Sequence, residues 1–128
     1  MAENPDLGKL ILRLTLGILI LFHGVSKVFG GVSGIENMLV SKDLPAILAY
    51  GVYVGEVIAP LMLIIGYYSR VGAALIVVNM LFALGLAHSH QFFMLGDSGG
   101  WQLELQGFFL LTAVAVILLG PGKYKWRH

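Results

Sequence analysis

Four stretches of about twenty mostly apolar residues fill most of this 128-residue chain, at residues 7–29, 46–67, 70–92 and 101–119. A helix that crosses a bilayer needs about 20 such residues. Hydrophobic residues make up 58% of the sequence and charged ones only 12%. A soluble domain is nearer half apolar and a quarter charged, and a chain this short cannot hide the excess in one water-facing core. The pattern predicts an all-α integral membrane four-helix bundle, a single domain over residues 1–128 with the lipid bilayer as its solvent.

The connections agree with that reading. Pro45 is placed to be the first helical residue of span two, and Gly120-Pro121-Gly122 stops span four. Only Tyr68 and Ser69 separate spans two and three, which demands a tight antiparallel hairpin. In "GVSGIENMLVSKDLP", Ile35, Met38 and Leu39 recur at helical spacing, predicting a short interfacial helix between spans one and two. "MLGDSGG" reads as a Gly-rich turn joining spans three and four.

Lysine and arginine placement orients the bundle. Lys9, Arg13, Arg70, Lys123, Lys125 and Arg127 fall on the side of the termini and the Tyr68-Ser69 turn, against Lys27 and Lys42 opposite. Both termini are therefore expected in the cytoplasm, in a bacterial-type inner (cytoplasmic) membrane. The first apolar run is longer than a signal h-region, so no cleavable signal is expected. A net charge of +1 without a dense basic run gives no reason to expect nucleic acid. With no cysteine, thiol, disulfide and iron–sulfur chemistry are excluded.

The polar residues inside the spans are the candidates for function. At about 100° per residue, Arg13, His23 and Lys27 share one face of span one, flanked by Gly17 and Gly24. A charge facing lipid costs about 3 kcal/mol, so that face is expected to point into the bundle, unless Arg13 and Lys27 snorkel to the surface. Glu56 lies roughly 15 Å from the outer end of span two, near the midplane. An isolated carboxylate is too costly there, and its depth suits pairing with either Arg13 or His23. Gly51 and Gly55 form a G-x-x-x-G that invites close helix approach. Span three contributes Asn79, read as interhelical glue, and His90, which could also snorkel. Span four contributes Glu104 with Gln106 nearby, and Trp101 and Trp126 read as interface anchors.

Three chemistries compete. His88 and His90 with His23 and Glu104 offer enough donors for copper or zinc, but helical positions two apart face apart, so no metal site is expected. His23 and a span-three histidine could be axial haem ligands. His23, Lys27, Glu56, His90 and Glu104 could instead line an outward-opening polar pocket, binding the oxygens of a quinone or similar lipophile and moving protons. The last reading leads. Its rival is a non-catalytic scaffold or assembly factor whose buried polar residues serve packing alone. A transporter has less support, because no internal repeat is evident.

These pieces together resemble the DoxX family of small four-helix membrane proteins. The matching residues are Arg13, Gly17, "FHGVSKVFGG", Leu44-Pro45, Gly55-Glu56, Gly66, "SRVGAAL", Glu104 and "GPG", in order along nearly the whole chain. Two segments depart from the family's usual pattern: "ELQGFF" replaces an E-x-x-x-L-Y segment, and "KYKW" follows "GPG". The resemblance implies a link to membrane redox systems. The related DoxD type looks like a subunit of a thiosulfate:quinone oxidoreductase, and other members look like partners of superoxide dismutase and a sulfurtransferase. Partner oxidoreductase subunits are therefore expected, and a homo-oligomer is possible through Gly51 and Gly55. The sulfur chemistry of cysteine-bearing relatives does not carry over to a chain without cysteine.

Overall fold

The computed structural model describes residues 3–31, 33–86 and 104–127, apart from the side chains of residues 83, 86 and 104. Among these residues there are five helices: α1 (Pro5–Gly30), α2 (Ser33–Ser41), α3 (Ala46–Ile65), α4 (Ser69–Leu86) and α5 (Glu104–Leu119). No strand occurs among the described residues, only an isolated bridge between Tyr67 and Arg127. Both α1 and α3 are long and apolar enough to cross a membrane. Helices α4 and α5 are apolar but shorter, and residues 87–103, where the expected ends of spans three and four and the expected "MLGDSGG" turn fall, lie outside the described residues.

Local chemistry sets the helix ends. Asn4 caps α1 by accepting the Leu7 amide at 3.1 Å, with Pro5 and Asp6 in the first turn. The expected short helix exists as α2, and its Leu39 is fully buried in a small cluster with Ala49. The hairpin is also present, but α3 ends at Ile65 rather than Tyr67. Gly66 there adopts a left-handed conformation with φ 75°, and its amide returns to Met62. A Cβ at Gly66 would be strained and would crowd Arg13 and Lys125.

The entry to α3 corrects the sequence reading. Pro45 is not its first helical residue but stands outside in an extended conformation, ahead of a 3₁₀ turn over Ala46–Tyr50. Further on, Val54–Ile58 forms a π turn in which the Ala59 amide reaches back to Val54. Pro60 supplies the reason. It has no N–H to give the carbonyl of Glu56, four residues earlier, and its ring crowds that carbonyl. The widened turn relieves the conflict.

Helices α1, α3, α4 and α5 pack in a ring: α1 on α3, α3 on α4, α4 on α5 and α5 back on α1. Each contributes to one core, including Leu16 and Ile20, Ala59 and Leu63, Ala73 and Ile76, and Phe109 and Ala113. The outward faces carry exposed large side chains, among them Phe22, Phe29, Ile47, Val78, Phe108, Leu111 and Leu118. A soluble monomer rarely exposes so continuous an apolar surface.

Glycines bring α1 against α3. A Cβ at Gly17 would press on the Pro60 carbonyl and Ile64, and one at Gly24 would overlap the Glu56 carbonyl. The backbone group displaced by Pro60 is thus the one on which α1 rests. The G-x-x-x-G expectation divides. Gly55 lies against the Asn79 side chain, whereas a Cβ at Gly51 would meet no described atom within 4 Å.

Candidate functional site

Glu56 sits on the π turn of α3 and is buried. Its Oε1 pairs with Lys27 Nζ at 2.5 Å, and its Oε2 accepts from Asn79 Nδ2 at 3.0 Å. Three helices therefore converge on one carboxylate. Gly24 lets α1 approach from one side, and Gly55 makes room for Asn79 on the other. The Tyr53 hydroxyl donates to the Lys27 carbonyl at 3.2 Å, tying the same two helices together.

Lys27 does not snorkel outward. It stands in the last turn of α1 and its side chain runs back to Glu56. Neither expected partner of Glu56, Arg13 or His23, bonds it. Arg13 lies at the level of the last turn of α3, where it donates to the Leu63 carbonyl at 2.7 Å and to the Tyr124 carbonyl. Helix-terminal carbonyls lack intrahelical partners, so a buried guanidinium is better satisfied there than about 10 Å away at the level of Glu56.

His23 lines the same cavity as the pair without joining it. Its Nδ1 is 3.0 Å from the Leu19 carbonyl, and its ring meets Phe109 edge-on at 5.7 Å between centroids. A carbonyl can only accept, so Nδ1 carries the proton of this bond. In the neutral ring, Nε2 is then the acceptor.

The cavity holds about 90 Å³ and is lined by Ile20, His23, Lys27, Glu56, Met80, Leu105, Gln106 and Phe109. That is small beside the several hundred Å³ of a typical ligand pocket. It suits a polar head rather than a whole lipophile. Residues 87–103, which connect α4 to α5, lie outside the described residues, and so do His88 and His90. Glu104 is placed as the first residue of α5, but its side chain is not described. Among the described residues, no three His, Cys, Asp or Glu side chains come close enough to share a metal ion.

Of the five residues expected at the site, the structure thus brings together His23, Lys27 and Glu56. It adds Asn79, which is the interhelical glue expected from the sequence and has Glu56 as its partner. The signal was present in the sequence: an amide in an apolar span must find a polar partner, and Glu56 is a buried acid on the neighbouring helix. It also adds Gln106, two residues after Glu104.

The cluster combines cationic and amide donors (Lys27, Asn79, Gln106) with acceptors (Glu56, His23 Nε2) at the edge of an apolar interior. Such a set can bind an oxygen-bearing ring and exchange protons with it.

The chain is 33% identical over 120 residues to "Putative oxidoreductase CatD" of Bacillus subtilis (strain 168), covering 94% of this chain and 84% of that protein. No solved structure matches it. The DoxX family model matches residues 8–89, which include Arg13, His23, Lys27, Glu56 and Asn79. The chain belongs to the DoxX family of membrane-associated proteins.

Proposed function

We propose that this protein is a redox-linked component of a bacterial-type inner membrane, crossing it four times with both termini cytoplasmic. Its Lys27–Glu56–Asn79 cluster, with His23 and Gln106, binds the polar head of a quinone or similar lipophile, and it works beside partner oxidoreductase subunits. The observation that carries the reading is a buried carboxylate, held by donors from two other helices, at the edge of a small cavity. Lys27 and Gln106 donate to the ligand's carbonyl oxygen. Glu56 and His23 Nε2 accept the protons of its reduced form while a partner oxidoreductase subunit takes the electrons. The apolar outer face and the six-to-two division of Lys and Arg support the membrane placement. The printed name of the Bacillus subtilis relative supports the redox assignment.

The test uses full-length protein in mild detergent, titrated with a short-chain benzoquinone and followed by thermal stabilisation. Wild type binds, and Glu56→Gln, which keeps the shape of the side chain but not its charge, binds at least about tenfold more weakly. Equal binding by both proteins, or none by wild type, refutes the ligand. Reporter fusions after Gly34 and at the C-terminus report opposite sides, with the C-terminus inside. A cytoplasmic signal at Gly34 overturns the orientation.

A further inference from the structure

A second polar site lies at the opposite end of the bundle, where α3 turns into α4. Tyr68 there has φ 47°, and its carbonyl accepts the Gly72 amide at 3.1 Å. The amides of Ser69, Arg70 and Val71 are then left without an intrahelical acceptor. Tyr68 offers no capping oxygen of the Ser or Asp kind; its ring stacks edge-on against Tyr67. The 18-residue α4 therefore begins with bare donors and the positive end of its dipole.

The independent observation is Ser69. It is 1% exposed, and among the described residues its Oγ has no hydrogen-bond partner. Buried hydroxyls are normally satisfied, so an orphaned one at the mouth of a helix marks a place built for an acceptor. Ser69 lines a cavity of about 210 Å³ with Tyr68, Arg70, Val71 and Pro121. Arg70 is already aimed: its Nε donates to the Ile117 carbonyl at 3.0 Å, which holds the guanidinium beside Gly120. Among the described residues its terminal nitrogens make no hydrogen bond.

We propose that the N-terminus of α4, with Ser69 and Arg70, is a phosphate-binding site, taking either the headgroup of an anionic phospholipid or a small phosphate anion. Backbone amides at a helix start suit phosphate, a guanidinium fork matches its oxygens, and the Ser69 hydroxyl supplies one more donor. Lys9, Lys123, Lys125 and Arg127 lie at the same end in sequence and fold, while Asp6 is engaged by the Lys123 amide at 3.1 Å. Tyr67 also stacks on Trp126, giving the aromatic cluster expected at a membrane interface. The lipid source rests on the membrane placement proposed above; the phosphate site itself does not.

The full chain in neutral detergent is tested by native mass spectrometry and thermal melting with dioleoylphosphatidylglycerol, inorganic phosphate and dioleoylglycerol, which has the same acyl chains and no phosphate. Wild type retains phosphatidylglycerol and is stabilised by it, but not by dioleoylglycerol. Ser69→Ala melts no earlier than wild type without ligand, because it removes an orphan, yet binds the phosphate compound about tenfold more weakly. Arg70→Gln weakens binding at least as much, whereas Lys125→Gln, outside the cavity, changes it less than twofold. Glu56→Gln binds like wild type, which separates this site from the quinone proposal. Phosphatidylglycerol alone stabilising identifies a lipid site; equal stabilisation by inorganic phosphate identifies a small-anion site. The proposal is overturned if Ser69→Ala binds like wild type, if it melts early without ligand, if Lys125→Gln is as damaging as Arg70→Gln, or if neither phosphate compound is preferred over dioleoylglycerol.

Discussion

Replacing Lys27 by Met should destabilise the protein more than replacing Glu56 by Leu, and the double variant should recover about half of the loss. The asymmetry follows from exposure. The Glu56 side chain is 7% exposed and that of Lys27 is 29%. Without Lys27, the carboxylate keeps only Asn79 and a narrow opening to the cavity. Removing one partner of a buried ion pair costs about 3–5 kcal/mol; the partial exposure of Lys27 argues for the lower end, about 3 kcal/mol. Without Glu56, by contrast, Lys27 can swing to the nearby end of α1. The remaining cost is the orphaned Asn79 amide, about 1–3 kcal/mol. Removing both charges leaves only that amide unpaired, so Lys27→Met/Glu56→Leu should be about 1–2 kcal/mol more stable than Lys27→Met alone. For a chain of this size, Lys27→Met corresponds to a melting-point loss on the order of 10 °C. Thermal melting of all four proteins in one detergent measures the cycle. Additive losses within about 0.5 kcal/mol would show that the two side chains do not share a site.

Two further outcomes probe the frame around the site. Gly24→Ala should separate α1 from α3, because its Cβ overlaps the Glu56 carbonyl, with a loss of about 2 kcal/mol or more; Gly51→Ala, with open space around it, should be neutral or slightly stabilising, and thermal melting of the pair checks both. Arg13→Ala strands the Leu63 and Tyr124 carbonyls and should free the segment after Gly120, read as faster proteolysis within residues 121–127 than in wild type; unchanged cleavage would show that Arg13 does not hold the tail.

Much of the helical frame was legible because helix formation is a local matter. Hydrophobic runs located α1 and α3, the spacing of Ile35, Met38 and Leu39 located α2, and the two-residue gap located the hairpin. The depth of Glu56 and the shared face of His23 and Lys27 also came from counting residues, since rise and rotation per residue are fixed by the backbone. Counting failed where one residue changed the count. Pro60 disturbs the ladder, and where the extra residue of the π turn falls, and which way Glu56 then faces, depends on the helices around it.

What only the tertiary structure decided is who meets whom. Sequence depth allowed Glu56 to pair with Arg13 or His23, whereas packing gave it Lys27 and Asn79. Long side chains span more than a helical turn, so depth alone cannot separate candidates a turn apart. The choice is made by how closely and at what rotation one helix lies on another, and here Gly24 on the Glu56 carbonyl and Gly55 on Asn79 set both. Arg13 found the exposed carbonyls at the end of α3 and the returning tail for the same reason. Such partners are backbone groups, identical in every residue, so they leave no mark in a sequence until the chain has folded back on itself.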